Sequence, residues 1–191
     1  HPAVEVIGVA QDFTRSLRLP PMVRDQRRLF FYPGSSIGNF GPAEAADFLA
    51  RVHAKAAGGH LMIGVDLVKD SAELVAAYDD ALGVTAAFNL NALRQVNRLA
   101  GTDFDVANWR HVALFDSAAS RVEMHLEARR RLVVRWPGGE RRFEAGERIH
   151  TENSYKYTLN GLRRLLEHAD FRDVRTFTDE RSRFAVAVAS A

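Results

Sequence analysis

Three runs of hydrophobic residues in the first seventy positions have the length of buried strands. They cover residues 4–10, 29–32 and 60–66, and the first and third are almost continuously apolar. Continuous apolar runs are typical of a sheet that is covered on both faces. Between the second and third runs, residues 42–55 begin near a proline, consist of good helix formers and precede Gly58-Gly59. The pattern therefore predicts a helix that connects two parallel strands.

After Ser71 the pattern changes to helices followed by short alternating strands. Residues 72–78 and 85–99 have the periodicity of helices, and Pro137-Gly138-Gly139 is a clear turn. Four short strands are predicted around that turn, at 112–115, 121–127, 132–136 and 141–143. Past Tyr157 apolar residues recur at helical spacing, at Leu162, Leu165, Leu166 and Ala169. Two further strands, at 174–177 and 184–189, end the chain.

This order of elements predicts an α/β sheet that is interrupted by an insertion. Residues 1–70 and 156–191 are assigned to the sheet domain, and residues 71–155 to a smaller α+β domain. A length of 191 residues is enough for one domain with a sizeable insertion and a large core. His1-Pro2 leads almost at once into the first predicted strand, which suggests that the chain begins within a fold.

Composition excludes several classes of function. The chain has no cysteine, which excludes disulfides, thiolate metal sites and a cysteine nucleophile. The formal net charge of +2 is too even to indicate a nucleic-acid partner, and no apolar run is long enough to span a membrane. Arg129-Arg130-Arg131 lacks aromatic neighbours for base stacking, so it is interpreted as a solvated hairpin edge. No signal peptide is visible, and a cytoplasmic protein is expected.

Polar residues follow the first two predicted strands, where ligands bind in open α/β sheets. Asp12 could accept a hydrogen bond from an exocyclic amine while Phe13 packs on a heterocycle, a combination that suits adenine. An aspartate turn beside a core phenylalanine is the alternative. Residues 33–39, Pro-Gly-Ser-Ser-Ile-Gly-Asn, contain two glycines that permit close backbone approach to a ligand. The loop lacks the lysine of a Walker A motif, so nucleoside triphosphate hydrolysis is rejected, and a helix-capping turn is the alternative.

The segment 149–157 is unusually polar for its place after a strand-rich region. If it is extended, Glu152 and Ser154 face the same way, with their Cα atoms roughly 6.6–7 Å apart. An imidazole between them could donate from one ring nitrogen to Glu152 and meet Ser154 with the other. A solvated edge strand is the alternative. His150 has no partner at a metal-ligand spacing, and no metal site is predicted.

Two polar clusters are interpreted as helix caps. Tyr78-Asp79-Asp80 could suggest a metal site or acid–base pair, but adjacent carboxylates at a helix end more often cap it. Residues 88–91, Phe-Asn-Leu-Asn, are expected to start or line the next helix, with the asparagines as caps.

Taken in order, the motifs resemble one family, the histidine-specific S-adenosylmethionine-dependent methyltransferases. The resemblance extends from Asp12 to the end of the chain. It is carried by residues 31–39, 64–70, 77–80, 83–89, 121–124 and 149–157. It implies a Rossmann-like class I methyltransferase sheet with an inserted substrate-binding domain, and S-adenosylmethionine as the methyl donor. The implied reaction is trimethylation of the α-amine of L-histidine to hercynine, in ergothioneine biosynthesis.

The resemblance also implies a role for each matched residue. Asp12 and Phe13 would hold the adenine, and Gly34, with Ser35 beside it, would approach the cofactor's methionyl part. Asn39 and Tyr78 would bind the substrate carboxylate. The remaining substrate contacts would come from Ser36 and Phe88 in the same pocket, Met124 beside the ring, and Glu152 and Ser154 around the imidazole. The amine would attack the sulfonium methyl directly, so no general base is assigned.

The sequence also departs from the family pattern. The family's glycine-rich first βα turn and the acidic residue after its second strand have no counterpart, so the chain starts near the family's third strand. Two alternatives therefore accompany the leading interpretation. One is methylation of a thiohistidine ring nitrogen, as in ovothiol synthesis. The other is a truncated, non-catalytic module that binds histidine.

Overall fold

The computed structural model describes residues 4–191, and His1-Pro2 lies outside this range. The chain divides into two compact units, one formed by residues up to Leu67 together with Tyr157–Ala191, the other by Val68–Lys156. The second unit is thus inserted into the first along the chain. The prediction from sequence placed these boundaries at 70/71 and 155/156. Among the described residues, no helix is both long and apolar enough to cross a bilayer.

The described residues form nine strands and four α-helices. The strands are β1 (Leu29–Tyr32), β2 (His60–Asp66), β3 (Trp109–Asp116), β4 (Arg121–Ala128), β5 (Leu132–Trp136), β6 (Gly139–Phe143), β7 (Arg148–Tyr155), β8 (Arg172–Thr178) and β9 (Phe184–Ser190). The helices are α1 (Pro42–Ala56), α2 (Ser71–Tyr78), α3 (Val84–Ala100) and α4 (Leu159–His168). Two short 3₁₀ helices cover Ser36–Asn39 and Val106–Asn108.

The first unit is a four-stranded sheet in the order β1-β2-β9-β8. β1 and β2 are parallel and are joined through α1, which confirms the predicted crossover, whereas β9 runs antiparallel to both of its neighbours. α1 begins at Pro42, where the missing amide hydrogen costs no helical bond, and it ends before Ala57 in the left-handed conformation. Alternate residues of β2 and β9 form the buried core with α1 and α4. They include Leu61, Ile63, Val65, Ala185, Ala187 and Ala189.

The prediction of a buried strand at residues 4–10 is wrong. These residues form no strand, and Val4, Val6 and Val9 are exposed. A strand is stable only where a neighbouring strand satisfies its backbone hydrogen bonds. β1 ends the sheet with β2 as its partner, and no described residue pairs with the 4–10 segment.

The second unit contains a three-stranded antiparallel sheet in the order β3-β4-β7 and a separate β5-β6 hairpin. The predicted turn at Pro137-Gly138 connects the hairpin, with Gly138 at φ 96°. One face of β4 is buried and belongs to a small aromatic core. That core contains Leu93, Trp109, Leu126, Ala128, Val134 and Phe143.

A β-bulge divides β7 into two parts that face differently. Met124 of β4 pairs with Glu152, but the next residue, His125, pairs with His150, so Thr151 is the extra residue. The Thr151 hydroxyl donates to the Met124 carbonyl at 2.9 Å and fastens the bulge. As a result Glu152 and Ile149 lie on the same face of the sheet, although simple alternation would place them on opposite faces.

Candidate functional site

The loop after β1 is tied to the carboxyl end of β2. Ser35 has φ 60°, and its backbone amide donates to the Gly64 carbonyl at 3.1 Å. Its hydroxyl accepts from the Asp66 amide at 2.8 Å. Gly34 has φ 75°, and a Cβ built there would meet no atom within 4 Å, so its backbone is open to a ligand. A serine in the left-handed region is uncommon, and these two bonds hold it there.

Ser36 and Asn39 lie at the two ends of the 3₁₀ helix that follows Gly34 and Ser35, and both are exposed. Ile37 and Gly38 between them are buried. Gly64 explains how the loop comes so close to the sheet, because a Cβ there would lie 3.3 Å from the backbone nitrogen of Gly34 and 2.8 Å from the Phe184 ring. The structure therefore presents the small polar residues of this loop to solvent on a rigid base.

Asp12 takes up the turn that was the alternative to adenine binding, whereas Phe13 is 40% exposed and is not the core phenylalanine of that alternative. Asp12 Oδ1 accepts from the Thr14 amide at 3.1 Å and from its hydroxyl, and Oδ2 lies 3.3 Å from Arg15. The Thr14 hydroxyl lowers the pKa of the Asp12 carboxyl below its ordinary value. Phe13 packs edge-on against Tyr32 and Phe48, with ring centroids about 6 Å apart. Contact with adenine remains a prediction.

In the second unit, the inner face of the sheet carries Glu152, Ser154 and Met124. Glu152 and Ser154 are two residues apart on β7 and pair with Met124 and Val122 of β4. Met124 and Ser154 are buried, while Glu152 is half-buried. The extended conformation expected of this segment is thus observed, and it puts a carboxylate and a hydroxyl on one face beside an apolar thioether.

The Ser154 hydroxyl belongs to a tight polar cluster that the sequence did not reveal. Its Oγ lies 2.7 Å from the Tyr78 hydroxyl, and Lys156 Nζ donates to Ser154 Oγ at 2.9 Å and to Tyr78 Oη at 2.8 Å. Lys156 is only 4% exposed, which is unusual for a lysine. The sequence did contain a signal for this contact, because Lys156 follows Ser154 by two residues and strand alternation places both on the same face.

A chain of hydrogen bonds fixes the backbone that carries Tyr78. His111 Nε2 lies 2.7 Å from the Tyr78 carbonyl, and His111 Nδ1 lies 2.9 Å from Asn89 Nδ2. Asn89 also donates to the His125 carbonyl at 3.2 Å. A carbonyl can only accept, so His111 donates through Nε2 and accepts from Asn89 through Nδ1. The end of α2 is thereby fastened to β3 and β4.

The expectation that Asn89 caps the start of a helix is wrong. α3 begins at Val84, so Asn89 lies inside it and is buried. The residue that does cap α3 is Asp80, whose carboxylate accepts from the Val84 amide at 3.0 Å and the Thr85 amide at 2.8 Å. These bonds from Thr85 and Val84 lower the pKa of Asp80 to about 2. Phe88 is 68% exposed.

The outer face of the same sheet brings together Glu123, His125 and His150, whose potential ligand atoms lie within 4.8 Å of one another. Sequence spacing did not suggest this cluster, because its members belong to two strands. Burial opposes ionisation of Glu123, but hydrogen bonds from His125 and Arg121 outweigh it and lower the pKa of the carboxyl. Both carboxylate oxygens of Glu123 are already engaged, one by Arg121 and the other by His125.

The first unit has features that suit S-adenosylmethionine. Open space beside Gly34 would admit the chain of a bound amino acid, and the positive φ there tolerates no side chain without strain. Polar groups from Ser35 and Ser36 stand at the carboxyl end of a parallel strand, the usual place for a nucleotide-type ligand in such sheets. On these observations the residues fit the cofactor.

The fold is that of a class I methyltransferase. The chain superposes on the CcbJ methyltransferase from Streptomyces caelestis with a TM-score of 0.50 and 16% sequence identity. The superposition covers 96% of this chain and 62% of that one. The expected fold class is thereby confirmed.

The family model described as "Histidine-specific methyltransferase, SAM-dependent" matches residues 1–191, and the chain belongs to this family. It is 42% identical, over all of its length, to the histidine N-alpha-methyltransferase of Mycobacterium tuberculosis (strain CDC 1551 / Oshkosh), and it covers 60% of that protein. It is 31% identical, over 91% of its length, to ergothioneine biosynthesis protein 1 of Neurospora crassa (strain ATCC 24698), of which it covers 20%. The chain therefore spans only part of these relatives.

Proposed function

We propose that this chain is the larger part of an enzyme that uses S-adenosylmethionine to convert L-histidine to Nα,Nα,Nα-trimethylhistidine, in ergothioneine biosynthesis. The observation that carries the proposal is the placement of Glu152 and Ser154 on one face of β7. A carboxylate and a hydroxyl in that arrangement match the two nitrogens of an imidazole ring. Family membership and the names of the relatives agree with this substrate.

The proposed substrate contacts of the second unit follow from this face. Glu152 and Ser154 bracket the ring, and Met124 packs beside it. Tyr78, whose hydroxyl lies 2.7 Å from Ser154 Oγ, is proposed to bind the substrate carboxylate, and Phe88 is proposed to line the pocket. In the first unit, Ser36 and Asn39 are proposed to contact the substrate. A carboxylate gives selectivity here because an imidazole N–H can donate to it, whereas a ring that lacks an N–H cannot.

The proposed cofactor contacts are Asp12 and Phe13 for the adenine, and Gly34 and Ser35 for the methionyl part. When bound, S-adenosylmethionine supplies an electrophilic methyl group. The protein's contribution is to hold the histidine amine in line and to keep water away. A dry site disfavours the charged form of that amine and lowers its pKa, so the nucleophilic form is reached without a side-chain base.

The proposal includes no metal, membrane or nucleic-acid partner, and it places the protein in the cytoplasm. The substrate is a small zwitterion, and the balanced charge of the chain suits such a metabolite better than a polyanion.

The proposed function is tested by incubating the chain with L-histidine and S-adenosylmethionine and following the products by mass spectrometry. The expected products are mono-, di- and trimethylated histidine, with methylation located at the α-amine by fragmentation. Methylation of a ring nitrogen would contradict the proposal. Titration of the chain with S-adenosylhomocysteine shows separately whether this chain holds the cofactor, so loss of catalysis and loss of cofactor binding are distinguished.

Glu152→Ala is expected to lower selectivity for histidine more than it lowers stability. The loss of a charge-assisted bond to the ring should reduce the preference for L-histidine over L-phenylalanine by about tenfold or more. Calorimetric titration of both amino acids against both proteins measures this ratio.

Asn153→Ala is the matched control, because Asn153 is the neighbour of Glu152 but lies on the opposite face of β7. It should leave the ratio unchanged. Equal affinity of the unaltered chain for histidine and phenylalanine would show that Glu152 does not select the substrate.

A further inference from the structure

Two histidine rings stack on the outer face of the three-stranded sheet. His125 of β4 pairs in register with His150 of β7, and their ring centroids lie 4.6 Å apart at an interplanar angle of 23°. His125 is buried, whereas His150 is exposed. With Glu123 they offer potential ligand atoms that lie within 4.8 Å of one another. No metal site was predicted at His150, because spacing along the chain does not show partners on another strand.

The hydrogen bonds of Glu123 decide which nitrogen of His125 carries the proton. Arg121 Nε donates to Glu123 Oε1 at 2.8 Å, and the other carboxylate oxygen lies 2.8 Å from His125 Nε2. A carboxylate that is paired with an arginine in this way is ionised and can only accept. His125 therefore donates through Nε2, and its neutral ring keeps a lone pair at Nδ1.

That lone pair of His125 is buried without a partner. Nδ1 is enclosed, and no residue among 4–191 forms a hydrogen bond with it. The whole residue is 9% exposed. Buried polar atoms in folded proteins nearly always have a partner, which is an ordered water or an ion where no protein group supplies it. His125 Nδ1 therefore indicates a bound species that accepts a lone pair.

The surroundings of His125 favour a metal ion over water. A histidine that binds a metal through one ring nitrogen usually donates from the other to a carboxylate, which fixes the tautomer and makes the ligating nitrogen more basic. Glu123 has this relation to His125, and a second imidazole lies directly against the buried ring. We propose that His125, through Nδ1, and His150 bind a divalent transition metal of the zinc type, with Glu123 as the positioning residue of His125.

The ligand type determines which metals fit this site. Imidazole nitrogens suit Zn²⁺, Ni²⁺ and Cu²⁺, whereas Mg²⁺ and Ca²⁺ take oxygen ligands. Both oxygens of Glu123 are engaged, so water would fill the other coordination positions. The site lies on the face of the sheet opposite to Glu152 and Ser154. It therefore adds a function to the chain and does not depend on the proposed methyl transfer.

Metal binding requires a small movement of His150. Two nitrogens at about 2.0–2.1 Å from one zinc ion lie about 3.4 Å apart in a tetrahedral site. Stacked rings direct their lone pairs side by side, so one ring has to turn for the two to converge on an ion. His150 is exposed, and its Nε2 lies 3.1 Å from the Glu152 carbonyl, a long bond that is easily given up. His125 is buried and stays in place.

The proposal is tested by calorimetric titration of the full chain with ZnCl₂, after dialysis against a chelator. A single Zn²⁺ ion should bind per chain, and MgCl₂ at the same concentration should not bind. His150→Ala should weaken Zn²⁺ binding about tenfold or more, and its exposed position makes loss of folding unexpected. Circular dichroism confirms that the variant is folded.

His168→Gln is the matched control, because His168 is an exposed histidine at the end of α4 in the other unit. It should leave the Zn²⁺ affinity unchanged. Equal affinity of the unaltered chain and His150→Ala would assign the ion to other imidazoles and overturn the proposal. Absence of Zn²⁺ binding would overturn it as well, and would leave a water molecule as the partner of His125.

Nuclear magnetic resonance of the chain labelled with ¹⁵N-histidine tests the role of Glu123. Without metal, His125 should have its proton on Nε2, and addition of Zn²⁺ should shift the Nδ1 signal while the proton on Nε2 remains. Glu123→Gln should mix the two tautomers of His125 and weaken Zn²⁺ binding about tenfold. A shift of Nε2 in place of Nδ1 would show that the metal displaces Glu123 and would contradict its positioning role.

Discussion

At the scale of single residues, Asn89 holds more of the second unit together than its size suggests. Its side-chain amide donates to the His125 carbonyl, while the bond with His111 leads on to the Tyr78 carbonyl. The residue is 3% exposed, so water cannot replace these partners. One buried amide thus connects α3 with β3, β4 and the end of α2.

Asn89→Ala is expected to destabilise the protein by about 1–3 kcal/mol, because buried groups of His111 and His125 lose their partner. Urea unfolding followed by circular dichroism measures the change. Asn91→Ala, two residues later in the same helix, is the control and should be nearly neutral or slightly stabilising, since alanine favours helices. Equal effects of the two substitutions would contradict a special role for Asn89.

The residues of the candidate site differ in how far the sequence could reveal them. Glu152 and Ser154 are found by strand alternation alone, because they lie two positions apart on one strand. Lys156 follows the same alternation, but its burial depends on Tyr78, which is 78 positions away. His111 was not found, and Asn89 was given the wrong role, since the partners of both residues lie on other elements. The alternation of residues along one strand reveals which side chains share a face. Contacts between residues on different elements depend on tertiary packing, which the sequence pattern does not show.

At the scale of elements, Asp80 links the end of α2 to the start of α3. Its carboxylate accepts from two backbone amides in the first turn of α3, which otherwise lack partners. These bonds lower its pKa from the ordinary 3.8 to about 2. A depressed pKa means that the stabilisation is fully present above pH 3.8 and is lost as the pH falls through about 2.

Asp80→Ala should therefore lower the melting temperature at pH 7, and its deficit relative to the unaltered chain should shrink as the pH approaches 2. Thermal unfolding at several pH values checks both statements. Asp80→Asn retains an acceptor oxygen without the charge, so it should be less harmful than alanine. A deficit that stays constant down to pH 2 would show that the charge of Asp80 does not stabilise α3.

Elements with partners close in sequence were the ones that hydrophobic pattern predicted correctly. β1, β2 and the helix between them form a local unit, and β3, β4 and the β5-β6 hairpin follow directly on one another. The 4–10 segment has an equally apolar sequence, but the described chain contains no strand beside it. An apolar sequence favours burial, but a strand forms only where another strand pairs with it.

At the scale of the whole molecule, the sheet of the first unit has one buried and one exposed face. In-register residues Phe31, Met62 and Val188 share the face opposite to the helix-covered core. Phe31 is 66% exposed, and Phe177, on the same face of β8, is 60% exposed. We expect this exposed apolar surface to favour association between copies of the chain.

Replacement of both Phe31 and Phe177 by serine should reduce concentration-dependent association of the chain and its binding of a hydrophobic dye. Sedimentation velocity at several concentrations provides the measurement. Phe48→Ser is the contrasting variant, because Phe48 is 4% exposed in the core of the same unit and its loss should cause unfolding. Unchanged association of the double variant would show that this face does not cause it.

The bulge at Thr151 has a consequence for how this protein can change over evolution. The extra residue shifts the alternation of side chains along β7. As a result Ile149 packs against the apolar core and Glu152 is proposed to contact the ligand, both on one side of the sheet. Substitutions at Thr151 keep that shift, but deletion of this one residue would restore strict alternation and exchange the inward and outward sets on one part of β7. Variation in the length of β7 should therefore be far rarer than variation in its composition.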